Sequence, residues 1–254
     1  MTDLKDIFNK ENPHRESAPE TNTEEFKKVL KSRRSVRKYS PKKIPAAVMH
    51  DVLDMALLAP NSSNLQPWEF YWIRSKEKRE LANAAFLSQP AATTAAEIIV
   101  AVARTKTWKA HAKKMIALLE ANDSGPSATV YYKKIVPLVY SLGFLNFYGF
   151  IKKFLFFFRG LSKATPREIT NKCELQIWAV KSTALACENI MLSLRAYGYD
   201  SCPMEGFDSA RLSKLLDLPK DAIIVMGISA GERAEDGVYG QQLRFTKENF
   251  VFEI

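Results

Sequence analysis

The chain has 254 residues and a formal net charge of +9, from 37 Lys and Arg against 28 Asp and Glu. The surplus is confined to residues 104–163, which hold eleven basic and two acidic side chains, while the rest of the chain is neutral. This local charge argues against a uniformly basic surface for nucleic acid, and we predict no nucleic-acid partner.

The cysteines and the N-terminal segment bear on the compartment. Cys173, Cys187 and Cys202 are too few and too widely spaced for a disulfide framework or a metal site, and the three histidines are scattered. The first twenty residues are polar and net acidic, unlike a secretory signal. We therefore predict a cytoplasmic protein without a metal, with a flexible arm over 1–22 and a single domain over 23–254.

Apolar periodicity, with Pro and Gly at the ends of the periodic segments, predicts a helix-rich chain with a few buried strands. The predicted helices are Thr23–Ser32, Ala46–Leu58 after Pro45, Glu77–Ala85, Glu174–Tyr197 before Gly198, and Ser209–Leu216. The predicted strands are Trp68–Ile73, Ile98–Ala103 and Ala222–Ile228, of which the last two are buried. This pattern indicates the α+β class.

The segment 104–163 predicts two or three helices and holds twelve of the 28 aromatic residues. Within it, the uncharged run 135–151 has only seventeen residues and contains Pro137 and Gly143. Its length is at the lower limit for a membrane span, and these residues dilute it, so we do not predict a span.

Three polar clusters could carry chemistry. The first is Arg33-Arg34-Ser35-Val36-Arg37, whose guanidinium groups and hydroxyl could clamp a phosphate. Taken alone, the cluster is better explained as a solvated basic helix end near the C-terminal dipole.

The second cluster is the loop Pro60-Asn61-Ser62-Ser63-Asn64-Leu65-Gln66-Pro67, which places amides and hydroxyls directly before a strand. Such a loop could bind a polar heteroaromatic ligand, although a simple capping loop is the alternative. The Gly-x-Ser-x-Gly signature of a hydrolase is missing around its serines.

The third cluster is Pro203-Met204-Glu205-Gly206-Phe207-Asp208, where Gly206 would let the backbone approach a ligand closely. A surface turn is the alternative, and a single carboxylate such as Glu205 is weak support for a general base. Cys202 beside it is either a reactive thiol or a buried inert one.

Together with a late Arg244, the order of these clusters resembles the FMN-dependent nitroreductase family over residues 24–103 and 174–254. The resemblance implies an intertwined homodimer with a central, mainly antiparallel sheet wrapped by helices. It implies a hydride transfer from NADH or NADPH, through N5 of FMN, to a nitroaromatic, a quinone or a similar small acceptor. No side chain need act as a catalytic nucleophile or base, because the cofactor supplies the chemistry.

The resemblance also implies roles for individual residues. Arg33, Ser35 and Arg244 would bind the FMN phosphate, Arg34 would also contact the cofactor, and Arg37 would lie near the pyrimidine edge of the ring. From the partner subunit would come Pro60, Asn61, Ser62 and Asn64, supported by Gln66. Along the flavin ring would run Pro203, Met204, Glu205 and Gly206, with a contact from Gln89. Two positions depart from the family pattern: Gln242 replaces a frequent Lys, and Asn61 replaces a small residue.

Two alternatives of function stay open at this point: a specialised enone or halo-aromatic reductase of the same fold, and a flavin-binding protein without turnover. The segment 104–163 also has two interpretations, since it matches no motif of the family. It could be a helical insertion or cover that closes the pocket and packs on the partner, with its Lys head groups in water. It could also contact an anionic membrane peripherally, which we consider the less favoured interpretation.

Overall fold

The computed structural model describes residues 16–122 and 126–254. Residues 1–15, most of the predicted flexible arm, therefore lie outside the described residues, as does Asp123 in the basic segment. The remainder of the predicted arm, residues 16–22, has no helix or strand.

Each helix and strand predicted with bounds is present, and its ends agree to within three residues, whereas the short helix Pro90–Thr93 and the strand Asp200–Met204 were not predicted. The helices are α1 Thr23–Ser32, α2 Ala46–Leu57, α3 Lys76–Ala85, α4 Pro90–Thr93, α5 Trp108–Ala121, α6 Pro126–Val130, α7 Val136–Tyr140, α8 Phe147–Gly160, α9 Lys172–Ala196 and α10 Ser209–Leu215. The strands are β1 Trp68–Trp72, β2 Glu97–Arg104, β3 Asp200–Met204 and β4 Ala222–Gly231. A π-helical turn, Tyr131–Ile135, joins α6 to α7.

The four strands form one sheet in the order β1-β2-β4-β3, and every neighbouring pair is antiparallel. This confirms the predicted α+β class and the mainly antiparallel sheet. The central strand β2 is buried on both faces, as its continuous apolar sequence requires. Its register with β4 shifts between Ala101 and Val102, which is the position of a β-bulge.

Alternate residues of β2 enter two cores on opposite faces of the sheet. Ile98, Val100 and Val102 pack with residues of α3 and α10. Ile99 and Ala101 pack with residues of α2 and α9 instead. The sheet thus lies between two helical layers, and α9 crosses one of them as the longest helix of the described chain.

The strand β3 was not among the predicted strands, because Pro203 interrupts its apolar pattern. Proline has no N–H to donate to a ladder, and it is tolerated on an edge strand. Strand β3 is the last strand of the sheet, and Pro203 lies opposite Ile228 of β4. This edge brings the third polar cluster to the sheet.

The basic segment folds into α5, the helices α6 and α7 joined by the π-helical turn, and α8. One part of the expectation for it is wrong, because the head group of Lys152 is not in water: the residue is buried and donates to two backbone carbonyls. In the described chain, no helix alone has the length and apolar character to cross a membrane. Only the pair Ser127–Tyr140 and Phe144–Gly160 meets these criteria together, with a 72° bend between them.

Candidate functional site

The first polar cluster continues the sheet edge as an extended segment. Ser35 forms a parallel bridge with Ser201 of β3, and the Val36 N–H donates to the Ser201 carbonyl at 3.1 Å. The Arg37 N–H donates to the Gly237 carbonyl at 2.8 Å, which ties the segment to the C-terminal part of the chain. Because side chains alternate along extended backbone, the burial of Val36 leaves its neighbours directed outward.

These outward side chains line a cavity of about 310 Å³. Its lining consists of Arg33, Arg34, Ser35, Arg37, Val238, Tyr239, Gly240, Gln241, Gln242, Leu243 and Arg244. The structure therefore brings Arg244 to the first cluster, about 210 residues earlier in the chain. Four guanidinium groups and the hydroxyls of Ser35 and Tyr239 meet here, and this described lining contains no carboxylate. Such a site is suited to a multiply charged anion.

The arginines of the cavity have few protein partners, and the Arg33 Nε lies 4.0 Å from the Glu188 carboxylate. Arg34 donates to the carbonyl of Gly240, and Arg244 donates to the neighbouring Leu243 carbonyl at 2.7 Å. The Arg37 guanidinium lies over the ring of Tyr239, 5.4 Å from the ring centroid. A guanidinium carries five N–H donors, so one or two protein contacts do not satisfy it.

The third cluster lies at the end of β3. Glu205 and Gly206 are exposed, and a Cβ placed on Gly206 would meet no atom within 4 Å. Gln89 reaches this backbone from the loop before α4, since its Nε2 donates to the Gly206 carbonyl at 3.2 Å. The structure thus links Gln89 to the third cluster and leaves open space in front of Gly206.

Cys202 is buried within β3, directly before this cluster. Burial raises the pKa of its thiol above the ordinary value, although the nearby charges of Arg37 and Arg33 oppose the shift. A protonated and covered thiol is a poor nucleophile. Of the two interpretations given above, the structure supports the buried inert thiol.

The second cluster forms a short, conformationally strained loop. Ser63, Asn64 and Gln66 have φ angles of 58°, 45° and 46°, in the left-handed region that non-glycine residues seldom adopt. The Asn61 side chain holds this shape, because its Oδ1 accepts from the Gln66 N–H at 2.8 Å. Strained backbone of this kind is often retained at functional sites.

Tyrosines from the basic segment hold the loop from one side, a feature that the sequence did not reveal. The Tyr132 hydroxyl donates to the Ser63 carbonyl at 2.8 Å, and the hydroxyls of Tyr131 and Tyr140 lie 2.7 and 3.2 Å from Ser63 Oγ. Burial raises the pKa of Tyr140 above the ordinary value, so its hydroxyl stays protonated near neutral pH. The π-helical turn places Tyr131 and Tyr132 in successive positions toward the loop. Consecutive tyrosines beside an apolar run were the one signal for this contact.

One chain does not bring all the predicted residues to one place. Arg33, Arg34, Ser35, Arg37 and Arg244 share the arginine cavity, and Gln89 joins Pro203–Gly206 at the adjacent sheet edge. The described lining of that cavity includes no residue of Pro60–Gln66. The loop instead contacts the basic segment of its own chain. Among the described residues, no group of three or more His, Cys, Asp or Glu could hold a metal ion.

Comparison with known proteins identifies the family. The model of the Nitroreductase family matches residues 30–232, which is most of the chain. The chain is 28% identical to YdgI of Bacillus subtilis, provisionally named an NAD(P)H nitroreductase, over 87% of this chain and 94% of that protein. It is also 28% identical to a Thermus thermophilus protein named NADH dehydrogenase, over 83% of this chain and 88% of that protein.

Among solved structures, the chain resembles a protein from Exiguobacterium sibiricum, solved in complex with FMN. The TM-score is 0.69 at 23% identity, covering 94% of this chain and all of that chain. This likeness concerns the fold, and the expected family and oxidoreductase class are confirmed by the family match. The chain belongs to the nitroreductase family.

Proposed function

We propose that this protein binds FMN and transfers a hydride from NADH or NADPH to a small acceptor such as a nitroaromatic compound or a quinone. The observation that carries the proposal is the arginine cavity beside the open edge at Gly206. The names of the relatives and the FMN complex of the structural neighbour support the same cofactor and reductant. When bound, FMN supplies the hydride chemistry, so the protein needs to supply only binding, orientation and charge.

The arginine cavity fits the phosphate end of FMN. A phosphate monoester carries close to two negative charges at neutral pH, and guanidinium groups bind its oxygens in a bidentate manner. Arg33, Arg34 and Arg244 would supply these donors, and the Ser35 hydroxyl would add a neutral one. Gln241 and Gln242 also line the cavity, so amide donors replace the lysine that many relatives have.

Arg37 lies on the same extended segment, two residues beyond Ser35, and Tyr239 stacks on its guanidinium. This contact fixes the planar cation in position without neutralising it. A fixed cation near the pyrimidine edge of the flavin would stabilise the negative charge that hydride transfer adds there. We assign this role to Arg37.

The end of β3 would lie along the flavin ring. Its open space accommodates a planar group, and Gln89 holds the carbonyl of Gly206, which orients the peptide groups on either side. A backbone N–H of Glu205 or Gly206 would then face the reacting nitrogen of the ring. Gln89 acts in this arrangement as a positioning residue for the backbone.

A homodimer would complete the site. The strained loop Pro60–Gln66 presents amide and hydroxyl groups but does not line the arginine cavity of its own chain. Exposed apolar residues on the C-terminal tail, such as Phe245 and Phe252, provide surface for a partner subunit. We propose that the loop of each subunit reaches the FMN of the other.

The decisive experiment is the absorbance spectrum of the purified protein, followed by anaerobic addition of NADH and of NADPH in turn. We expect a flavin spectrum that bleaches with one or both reductants and returns when a quinone is added. A protein that takes up no FMN would overturn the proposal. A flavin spectrum with no steady-state oxidation of either reductant would instead indicate a flavin-binding protein without turnover.

Two substitutions test the phosphate site directly. Arg33→Ala and Arg244→Ala should each lower FMN affinity by about tenfold to a hundredfold, since each removes a charge-assisted contact. Arg211→Ala on α10 is the matched control, because Arg211 is exposed and does not line the cavity. Unchanged FMN affinity in both cavity variants would place the cofactor elsewhere.

A further inference from the structure

An ordinary surface helix turns its apolar residues toward the protein, but helix α8 does not. Its buried residues are Gly149 and Lys152. A Cβ on Gly149 would lie 2.1 Å from the Thr170 carbonyl oxygen, so only glycine allows this close approach. Lys152 is 2% exposed, and its Nζ donates to the carbonyl of Val139 at 2.7 Å and to that of Ile169. A small residue and a polar one thus attach the helix to the rest of the molecule.

Most apolar residues of the same helix face outward, whereas Tyr148 and Phe156 are half-buried. The exposed set comprises Phe147, Phe150, Ile151, Phe154, Leu155, Phe157, Phe158 and, just beyond the helix, Leu161. At about 100° per residue these positions span an arc of about 160° on the helix surface. Phe150 is 75% exposed and Phe154 is 65% exposed, and the exposed pair Phe144 and Leu145 extends the surface before the helix. We call this set the phenylalanine face.

A cleft of about 590 Å³ lies along the phenylalanine face and the start of α9. Its lining combines phenylalanine rings with the cations Lys153 and Arg167 and with Glu174. The Glu174 carboxylate is already bound, since it accepts from the Thr170 N–H at 2.6 Å and from Asn171 at 2.7 Å. The cleft therefore offers an apolar interior with cationic groups at its edge.

Positive charges flank the phenylalanine face on both sides. On the helical wheel, Lys153 lies at one margin of the apolar arc and Arg159 at the other. Both are exposed, as are Lys133, Lys134 and Lys163 in the same segment. All five belong to the segment 104–163, which holds the whole excess charge of the chain. An apolar face with cations at its margins is the pattern of a helix that lies in a membrane interface.

A second copy of the chain is a poorer occupant for this face. In a two-fold dimer the same patch meets itself, so the flanking Lys153 and Arg159 of one copy would be placed near those of the other. An anionic lipid surface would neutralise the same charges. Helix α8 has 14 residues, and about 1.5 Å of rise per residue makes it shorter than the roughly 30 Å bilayer core. It is suited to lying along a bilayer.

We propose that the phenylalanine face and its flanking cations dock the protein peripherally on an anionic lipid bilayer. The phenylalanine rings enter the boundary between head groups and acyl chains, and Lys153 and Arg159 remain at the level of the lipid phosphates. This inference stands independently of the proposed flavin chemistry, because the surface shares no residue with the arginine cavity.

The test is co-sedimentation of the purified protein with vesicles made of equal parts phosphatidylcholine and phosphatidylglycerol. We expect binding at low salt that weakens as salt is added, and at least about tenfold weaker binding to pure phosphatidylcholine. Absence of binding to the anionic vesicles, or equal binding to both kinds, would overturn the proposal.

Paired variants locate the surface. Phe150→Ser with Phe154→Ser, and separately Lys153→Glu with Arg159→Glu, should each lower vesicle affinity by about tenfold or more. The matched controls are Leu58→Ser with Leu81→Ser, which removes exposed apolar side chains, and Lys214→Glu with Lys220→Glu, which reverses exposed charges outside the segment. The controls should bind like the wild type. Equal losses in the controls would contradict the assigned surface.

The oligomeric state in the absence of lipid distinguishes the two candidate occupants of the phenylalanine face, a membrane and a second copy of the chain. If the wild type and the Phe150→Ser, Phe154→Ser variant have the same mass in sedimentation velocity, the face is free to meet a membrane. If the variant alone loses a subunit, the face is an interface between copies and the proposal is wrong. All the substituted side chains are exposed, so circular dichroism should show the variants folded.

Discussion

Helices α8 and α9 follow each other along the chain, and they use their apolar residues in opposite ways. Helix α9 buries eleven residues, among them Trp178, Ile190 and Leu194, against the sheet and its flanking helices. Helix α8 buries a glycine and a lysine and exposes its phenylalanines. Apolar periodicity therefore identifies a helix, but it does not show which side of the helix packs against the protein. The scaffold, by which we mean the described residues outside 104–163, contains the candidate flavin site, whereas the basic segment contains the exposed phenylalanine face.

The largest expected difference between the two helices is in stability. Leu194→Ala in α9 should lower the free energy of unfolding by about 3 kcal/mol, because it leaves a cavity at a residue with 0% exposure. Leu155→Ala in α8 should change it by less than about 0.5 kcal/mol, because that side chain is 57% exposed. Urea unfolding of both variants without lipid is the measurement. Similar losses would show that α8 is covered in solution.

The second difference concerns hydride transfer. Arg37→Ala should slow single-turnover reduction of the bound flavin by about a hundredfold while lowering FMN content much less, because it removes charge stabilisation from the transition state. Arg159→Ala in α8 removes the same kind of side chain and should leave the rate unchanged. The measurement is anaerobic stopped-flow reduction by NADH and NADPH. An unchanged rate in the Arg37 variant would end its assignment.

The scaffold was predictable because its elements obey local rules. The Ile-Ile-Val-Ala-Val-Ala run could only be a buried strand, and Asn171 and Gly198 bound the long helix on either side. The order of the polar clusters then resembled one family, and in the structure Arg33, Arg34, Arg37 and Arg244 line one cavity. Strand β3 was missed because Pro203 interrupts its pattern, and its pairing with β4, which stabilises the strand, is visible only in the folded structure.

Contacts between polar residues that are far apart in the chain could not be predicted from the sequence. No periodicity indicates that Tyr131, Tyr132 and Tyr140 hold the loop at Ser63, or that Gln89 reaches Gly206. The inverted orientation of α8 was also hidden, because a lysine is expected to face water. Lys152 is buried because its Nζ donates to two carbonyls from separate parts of the chain, that of Val139 in α7 and that of Ile169 before α9.

A smaller effect is expected where the scaffold meets the basic segment. Arg104 forms ion pairs with Glu69 and with Asp221, whose carboxylate also accepts from the Lys106 N–H at 3.0 Å. Burial alone would raise the pKa of Asp221, but the bonds from Arg104 and Lys106 hold it below its ordinary value. Arg104→Met should therefore lower the free energy of unfolding by about 2 kcal/mol at neutral pH.

The pH dependence tests this network. A carboxylate with a lowered folded pKa stabilises the protein fully above its unfolded pKa of about 4, and loses this contribution as the pH falls through the folded pKa. The difference between wild type and Arg104→Met should thus shrink below about pH 4. Urea unfolding across the acid range is the measurement, and a constant difference would contradict the ion-pair explanation.

The smallest expected effect isolates the attachment of α8. Burial lowers the pKa of Lys152 to about 8, only partly opposed by the charge of Glu174. Between pH 8 and the ordinary lysine value of 10.5 the unfolded chain then binds more protons than the folded one, so stability gains a contribution that rises with pH. From about pH 8 to pH 9.5 this contribution should grow by about 1.5 kcal/mol in the wild type and should vanish in Lys152→Met. Lys153→Met removes the adjacent exposed charge and should keep the rise, because its head group stays in water in both states. If Lys152→Met and Lys153→Met follow the same pH profile, Lys152 does not have a lowered pKa in the folded protein, and its burial as an anchor of α8 would be contradicted.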